Sequence, residues 1–167
     1  MYDSYTIAVC AEIKARAEEI RETLPSSVFS DKADTLYIGG GTPSVLPLDC
    51  LATIVNELND TVFGGQPHAY CEFTIEVNPE DIVEKGDTYV RGLLALGVNR
   101  VSMGIQSFDD NILRWMNRRH DARHAEEAYW KLRANNIRNI SIDLIYGVRG
   151  MSDEVWAATV HKAIGLS

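Results

Sequence analysis

Thr35-Leu-Tyr-Ile-Gly-Gly-Gly-Thr-Pro43 is a short β-prone run that stops at three glycines, and Pro47 soon afterwards opens a helical segment. This unit of strand, loop and helix recurs along the chain. Three further β-prone runs, each followed by a helical segment, lie at residues 73–77, 100–106 and 140–146. Because neighbouring parallel strands need a crossover connection, the alternation predicts parallel βα units and the α/β fold class.

The helical segments carry their own start and stop signals. Ahead of the first strand, apolar residues recur at steps of three and four from Val9 to Leu24, which predicts an amphipathic helix ended by Pro25. Asp109 and Asp121 are placed to cap two later helices. Four strands are too few for a closed barrel of eight strands and about 250 residues. The chain is therefore expected to be an open sheet or part of a larger barrel.

The composition is that of one globular domain, with 167 residues of which 46% are hydrophobic and 24% charged. A formal net charge of −8 disfavours nucleic acids and anionic membrane surfaces as partners. No apolar run approaches the roughly 20 residues of a membrane span, and the first residues lack the pattern of a signal peptide. Three widely spaced cysteines match neither a disulfide framework nor a zinc-ligand pattern, so we expect a cytoplasmic protein.

Polar residues stand at the carboxyl end of each predicted strand, where parallel α/β sheets bind ligands. In chain order these include Gly40, Gly41, Thr42, Glu76, Asn78, Gln106, Ser107, Asp143, Tyr146 and Gly147. An ionised carboxylate within an apolar strand is costly unless it meets a cation or several donors, so Glu76 and Asp143 favour a polar site. Two alternatives stay open. The glycines would form a tight turn without a ligand, or the two acids would pair with arginines in a structural network, the candidates being Arg100, Arg118 and Arg119.

For two further groups of residues, we expect a structural role rather than a functional one. His120 and His124 are four residues apart, which suits a metal on one helical face, but the predicted cap at Asp121 places His120 outside the helix. We therefore expect no metal site there. Trp115 and Trp130 are expected to pack in the core, as large apolar side chains usually do.

Five motifs, taken in order, carry a resemblance to one protein family. They are Tyr37-Ile-Gly-Gly-Gly-Thr-Pro-Ser44, Thr74-Ile-Glu-Val-Asn-Pro79, Arg100-Val-Ser-Met-Gly-Ile-Gln-Ser-Phe108, Asn117-Arg-Arg-His120 and Asn139-Ile-Ser-Ile-Asp-Leu-Ile-Tyr-Gly147. Together they closely resemble the radical S-adenosylmethionine (SAM) family of oxygen-independent coproporphyrinogen III oxidases. Gly-Ile-Gln-Ser-Phe and Arg-Arg-His are more similar to the haem-chaperone branch than to the oxidases proper. The resemblance covers nearly the whole chain.

The resemblance implies a partial (β/α)6 barrel, an open TIM-like barrel that holds a [4Fe–4S] cluster and SAM at the carboxyl ends of its strands. It implies SAM-binding roles for seven residues: Gly40, Gly41, Thr42, Glu76, Gln106, Arg118 and Asp143. The glycines and Thr42 would lie beside the ammonium and sulfonium groups, and Glu76 would add negative charge near these cations. Arg118 would pair with the carboxylate of SAM. Gln106 and Asp143 would hold the ribose hydroxyls or the amino-acid part.

One element of the family pattern does not occur in the printed sequence. The family binds its cluster through three cysteines in Cys-x-x-x-Cys-x-x-Cys, and the chain has no such motif. The resemblance therefore implies one partial radical SAM core domain over residues 1–167, incomplete at both ends. We expect this polypeptide alone to be inactive in the reductive cleavage of SAM and to self-associate through uncovered sheet edges. Haem or a porphyrinogen would be a further ligand of the parent protein.

Two functions from different classes follow from these expectations. In the first, the chain is the central segment of a radical SAM protein of haem or porphyrin metabolism, either a haem chaperone or an oxidase. In the second, it is a cluster-free module from the same barrel that binds a small molecule or docks a partner. Tight SAM binding without a cluster would favour the second function.

Overall fold

A computed structural model describes residues 2–23, 34–65 and 69–166 of the chain. After an N-terminal helix, strands and helical segments alternate as expected. In chain order the elements are α1 (Tyr2–Thr23), β1 (Thr35–Ile38), a 3-10 turn (Pro43–Val45), α2 (Leu48–Phe63), β2 (Glu72–Val77), α3 (Pro79–Ala95), β3 (Arg100–Gln106), α4 (Asp110–Trp115), α5 (Ala122–Ala134), β4 (Asn139–Leu144) and α6 (Asp153–Gly165).

The four strands form one parallel sheet in the order β1-β2-β3-β4. Ile75 of β2 lies opposite Ile38 of β1, and Met103 of β3 lies opposite Ile142 of β4. The carboxyl ends of the strands therefore meet at one edge of the sheet. The predicted α/β class with parallel βα units is confirmed.

The two faces of the sheet differ in character, because successive strand residues point to opposite sides. One face packs into the hydrophobic core with Leu36, Ile38, Phe73, Ile75, Val77, Val101, Met103, Ile105, Ile140, Ile142 and Leu144. The alternate positions are mostly polar or small: Tyr37, Thr74, Glu76, Ser102, Gly104, Gln106 and Asp143. Parallel sheets with helices on both faces are built from nearly continuous apolar runs, so this second face is suited to a polar ligand rather than a helix.

The predicted helix caps are confirmed. The Asp109 carboxylate accepts hydrogen bonds from the first backbone amides of α4, and the Asp121 carboxylate accepts one from the amide of His124 in α5. The predicted end of the first helix, at Leu24 and Pro25, lies outside the described residues. Among the residues that the structure describes, none of the helices combines the length and apolar character that crossing a bilayer requires.

The expectation that Trp115 and Trp130 pack in the core is wrong. Their exposed fractions are 61% and 54%. Trp115 is the last residue of the short helix α4, and Trp130 lies on the outer side of α5, where its ring meets Tyr129 edge-on with centroids 5.2 Å apart. Helix α5 turns its small residues Ala125 and Ala128 to the core instead, which lets it approach closely.

Helix α3 is kinked at Gly86, whose φ of 68° and ψ of −166° fall in a region that essentially only glycine adopts. We expect Gly86→Ala to lower the free energy of unfolding by about 1–3 kcal/mol through backbone strain. An added Cβ would meet no atom within 4 Å, so a clash does not contribute. Urea unfolding measures the loss. Gly165→Ala in α6 is the control, because its Cβ also meets open space and its φ is not positive. Equal losses in both variants would rule out strain as the cause.

Candidate functional site

A polar cavity of about 240 Å³ opens at the carboxyl edge of the sheet. It is formed by the loop after β1, by strands β2, β3 and β4, and by the segment after α4. Its lining consists of Gly40, Gly41, Thr42, Pro43, Glu76, Val77, Asn78, Ser102, Gly104, Gln106, Arg118 and Asp143. All seven residues that the sequence analysis assigned to a binding site line this one cavity.

In the loop after β1, the glycines allow the backbone to turn and also to pack closely against the side chains of Tyr37 and Glu76. A Cβ on Gly39 would stand 2.3 Å from the Tyr37 ring and 2.9 Å from a Glu76 carboxylate oxygen, so a larger residue would displace both side chains. Gly40 has a φ of 118°, which side-chain-bearing residues rarely adopt. The loop then closes into the 3-10 turn through a hydrogen bond of 3.1 Å from the Val45 amide to the Thr42 carbonyl.

Glu76 presents a carboxylate held by two donors. The Tyr37 hydroxyl donates to one carboxylate oxygen at 2.6 Å, and the Gly40 amide donates to the other at 3.1 Å. The hydrogen bond to Glu76, together with burial, raises the pKa of the Tyr37 hydroxyl, so Tyr37 remains a donor at neutral pH. These contacts fix the orientation of the carboxylate without neutralising its charge, which stays available to a cationic ligand.

Arg118 brings a positive charge to the same cavity. One of its terminal nitrogens donates to the Asn78 side chain at 2.8 Å and to the Gly104 carbonyl at 3.1 Å. Its Nε is buried and has no hydrogen-bond partner among the described residues. A buried N–H without an acceptor is costly, so an anionic or carbonyl group of a ligand would complete the guanidinium's hydrogen bonding.

The wall formed by β3 and β4 is polar and closely fitted. The Ser102 hydroxyl donates to the Asp143 carboxylate at 3.0 Å. Gln106 has a φ of 69°, an uncommon value for a residue with a side chain, and such strain is concentrated at functional sites. A Cβ on Gly104 would stand 2.6 Å from Nε2 of the Gln106 side chain, so a larger residue here would displace that side chain.

Within the described residues, no ion pair joins Glu76 or Asp143 to Arg100, Arg118 or Arg119, so the alternative of a structural acid–arginine network is not supported. Arg100 instead pairs with Glu72 at 3.0 Å, outside the cavity. Arg119 pairs with Glu80 and Asp81, also away from the two cavity acids. The cavity therefore contains two carboxylates and a guanidinium that no ion pair joins, which matches a ligand carrying both signs of charge.

A buried polar network supports the glycine loop from beneath. The Ser44 hydroxyl donates to the Asp81 carboxylate at 2.5 Å and accepts from the Asn78 amide at 3.1 Å. The Lys85 ammonium donates to the carbonyls of Ser44 and Leu46, which closes the 3-10 turn. This network joins the loop after β1 to the start of α3, so the two sides of the cavity entrance are held in one arrangement.

Sequence reasoning missed Ser102 and Gly104 as cavity residues. Ser102 and Gly104 alternate with apolar residues along β3, so a period of two, counted strand by strand, would have placed them on the same face as Gln106. Asn78 follows Glu76 at the end of β2, and it contacts both Thr42, at 3.4 Å, and Arg118. Asn78 thus stands at the carboxyl end of a strand, where parallel α/β sheets bind ligands.

Comparison with known proteins identifies the family to which the chain belongs. The sequence model of the radical SAM superfamily matches residues 10–163, which contain every residue of the cavity. The chain belongs to the radical SAM superfamily. Members of this superfamily employ SAM and a [4Fe–4S] cluster, and the motifs quoted above account for the match.

Two curated proteins and one solved structure show which members of the superfamily the chain is similar to. The chain is 35% identical over 139 residues to the heme chaperone HemW of Lactococcus lactis, covering 81% of this chain and 34% of that protein. It is 32% identical over 160 residues to the heme chaperone HemW of a Synechocystis species, covering 96% and 35%. The solved structure of the Escherichia coli coproporphyrinogen III oxidase HemN, described as a radical SAM enzyme, superposes with a TM-score of 0.80 at 29% identity. That match covers 99% of this chain and 35% of the oxidase.

These comparisons confirm the predicted family and the partial barrel. The chain spans about a third of the length of the relatives it matches. The parallel sheet of four strands with its helices is one part of the radical SAM barrel.

The cysteines of this chain do not fit the family's iron–sulfur cluster. Cys10 and Cys50 are buried in α1 and α2, whereas Cys71 is exposed just before β2. Within residues 2–23, 34–65 and 69–166, no three or more His, Cys, Asp or Glu side chains are grouped to hold a metal ion. His120 and His124 bind the carboxylates of Glu80 and Asp121 instead.

Glu80, next to the cavity, should make the fold sensitive to acid. Burial alone would raise its pKa, but hydrogen bonds from His120 and the Glu80 amide lower it from 4.5 to about 2. The resulting stabilisation is complete above pH 4.5 and is lost as the pH falls towards 2, by at most about 1.4 kcal/mol per pH unit. We expect the unfolding free energy of Glu80→Gln to fall less steeply over this range than that of the wild type, measured by urea unfolding. A change at an exposed carboxylate, Glu127→Gln, is the control, and parallel curves for Glu80→Gln and wild type would contradict the assignment.

Proposed function

We propose that the cavity binds SAM through Gly40, Gly41, Thr42, Glu76, Gln106, Arg118 and Asp143. The observation that carries the proposal is the presence of both signs of charge in one cavity, which is lined by the Glu76 carboxylate and by Arg118 with its unsatisfied Nε–H. SAM carries an ammonium, a sulfonium and a carboxylate, so it needs both an acid and a guanidinium in one concave site.

Each polar group has a complementary role in this proposal. Glu76 faces the two cationic groups of SAM, and the carbonyls of Gly40 and Gly41 lie close to them. Arg118 receives the SAM carboxylate. The Asp143 carboxylate accepts hydrogen bonds from the ribose hydroxyls, and the Gln106 side-chain amide donates to them or accepts from them.

At the level of the whole protein, we propose that this chain is the central segment of a radical SAM protein of haem or porphyrin metabolism that acts in the cytoplasm. Support comes from the relatives, which are heme chaperones and a coproporphyrinogen III oxidase. In such a protein, haem or a porphyrinogen is the further ligand. Residues 1–167 form one partial radical SAM core domain in this proposal.

The isolated chain should bind SAM without cleaving it. Reductive cleavage requires an electron from the family's cluster, and the cysteines present do not fit that cluster. Purified chain incubated with SAM and dithionite under anaerobic conditions should yield no 5′-deoxyadenosine above the level without protein. Formation of 5′-deoxyadenosine by this polypeptide would overturn this part of the proposal.

Calorimetric titration tests the binding site directly. SAM should bind about tenfold more tightly than the uncharged thioether S-adenosylhomocysteine, because only SAM places a sulfonium near Glu76. Glu76→Gln should remove this preference. Glu72→Gln, four residues earlier on β2 and outside the cavity, is the matched control and should keep it. Absence of SAM binding to the folded wild type would refute the site.

A cluster-free binding module is the second candidate, favoured by the misfit between the cysteines and a cluster. The two candidates differ in affinity. If the chain is a segment of a radical SAM protein, no cluster iron is present in it to coordinate the amino and carboxylate groups of SAM, so SAM binds weakly. A dissociation constant below about 1 µM, corresponding to more than about 8 kcal/mol, would favour the module.

A further inference from the structure

Tyr37 contacts Glu76 but is not among the residues that line the cavity. The two residues lie on the neighbouring strands β1 and β2. The Tyr37 hydroxyl donates to one carboxylate oxygen of Glu76 at 2.6 Å, a length typical of a hydrogen bond from a hydroxyl to a charged oxygen. Such bonds are stronger than those between neutral groups. Tyr37 therefore reaches the cavity through a carboxylate that lines it.

Only two donors orient the Glu76 carboxylate in the described part of the chain. The second is the Gly40 amide, which donates to the other oxygen at 3.1 Å. The ion pairs among these residues involve other acids. Each oxygen of an ionised carboxylate accepts about two hydrogen bonds, so both oxygens keep capacity for a ligand. Removal of the Tyr37 hydroxyl would leave a single donor to hold Glu76.

The close approach of the Tyr37 ring to Gly39 places the hydroxyl. A Cβ on Gly39 would stand 2.3 Å from a ring carbon of Tyr37 and 2.9 Å from a carboxylate oxygen of Glu76. The φ of Gly39 is not positive, so this position needs glycine for space rather than for its backbone conformation. Because 55% of Tyr37 is exposed, burial does not fix the ring, and its contacts with Gly39 and Glu76 do.

We propose that Tyr37 is a positioning residue that sets the preference of the cavity for a sulfonium over an uncharged thioether by fixing the Glu76 carboxylate. The ligand side of this proposal rests on the proposed function, in which SAM occupies the cavity. A charged side chain that is held in place before the ligand arrives loses little further freedom on binding, so more of its attraction appears as affinity. Without the hydroxyl, Glu76 samples other side-chain conformations, and its attraction to the sulfonium weakens.

The ratio of two affinities isolates this effect. SAM and S-adenosylhomocysteine share the ammonium, the carboxylate, the ribose and the adenine, and only SAM carries the sulfonium. A general loosening of the site weakens both ligands equally, whereas a displaced Glu76 carboxylate weakens SAM more. Tyr37→Phe therefore lowers the preference for SAM from about tenfold to about threefold.

The positioning itself is measured without ligand, through the exchange of the Gly40 amide with water in ¹⁵N-labelled chain. The printed contacts join Tyr37 to this amide only through Glu76. The Gly40 amide should exchange at least about threefold faster in Tyr37→Phe than in the wild type. Tyr70→Phe is the matched control, because the Tyr70 hydroxyl donates to the Asn59 side chain at 3.0 Å, outside the cavity. An unchanged Gly40 exchange rate in Tyr37→Phe would overturn the proposal.

The consequence for the ligand is measured by calorimetric titration of each variant with SAM and with S-adenosylhomocysteine. Tyr70→Phe should keep the wild-type ratio of affinities. Gly39→Ala retains both polar groups but displaces them, so it should lower the ratio as Tyr37→Phe does. An unchanged ratio in folded Tyr37→Phe, or equal losses for the two ligands, would show that Tyr37 does not set the preference.

The two measurements separate this inference from the proposed function. Absence of SAM binding by the wild type would refute the SAM site, while the exchange rate of the Gly40 amide would still decide whether Tyr37 fixes the Glu76 carboxylate. Wild-type binding of SAM with an unchanged ratio in Tyr37→Phe would leave the site in place and refute the role of Tyr37.

Discussion

Arg118→Gln is expected to weaken SAM binding by about 100-fold, equivalent to about 3 kcal/mol, with little change in stability. The guanidinium is the cavity's cation, and its buried Nε–H has no acceptor in the described part of the chain. A SAM carboxylate placed there gains a charge-assisted hydrogen bond and restores a bond that folding left unmade. Glutamine retains an N–H donor but removes the charge and the fork of donors.

Calorimetry with SAM measures this loss. The matched control is Arg114→Gln, because Arg114 is an exposed residue of α4 outside the cavity and donates to the nearby Asn111 side chain at 2.6 Å. The control should stay within about twofold of wild type. Unfolding curves establish that Arg118→Gln is folded, since Arg118 also bonds to Asn78 and the Gly104 carbonyl. A folded Arg118→Gln with unchanged affinity would remove Arg118 from the site.

Phe73→Ala should cost the largest share of the fold's stability, about 3–5 kcal/mol in the free energy of unfolding. Phe73 is fully buried near the start of β2 and meets the Tyr70 ring edge-on with centroids 5.8 Å apart. Its removal combines lost apolar burial with a cavity that the surrounding strands cannot close. For a domain with 5–15 kcal/mol of total stability, such a loss populates the unfolded state measurably.

Urea unfolding followed by circular dichroism measures this loss, and Trp115→Ala is the control. Trp115 is a larger side chain than Phe73, but 61% of it is exposed, so its removal should change stability by less than about 0.5 kcal/mol. A comparable loss for Trp115→Ala would mean that this tryptophan is packed in solution. A small loss for Phe73→Ala would contradict the core described above.

The fold was predictable because its signals are local. Each strand is a short β-prone run bounded by glycine or a polar residue, and Asp109 and Asp121 cap helices within three residues of themselves. Parallel pairing then followed from the helices between the strands. The kink at Gly86 was not predictable, since a glycine within a helical stretch signals nothing about its φ.

The site was predictable where charge stands out and not where small residues shape the cavity. Glu76 and Asp143 are conspicuous in apolar strands, and Arg118 came from a motif. Ser102 lines the cavity beside Asp143, and Gly104 lines it beside Gln106. These neighbours cannot be read from sequence position alone. The network of Ser44, Asp81, Arg119, Glu80 and His120 joins residues 37 to 40 positions apart, so only the folded chain brings it together.

The central claim is that SAM occupies the polar cavity at the carboxyl edge of the sheet. The most direct measurement is a titration of the ¹⁵N-labelled chain with SAM, followed by ¹H–¹⁵N correlation spectra. We predict saturable shifts that centre on the amides of Gly40, Gly41, Gly104 and Gln106. No shifts at saturating SAM, or shifts centred on the apolar groove between α1 and α2 around Ile13 and Leu58, would contradict it.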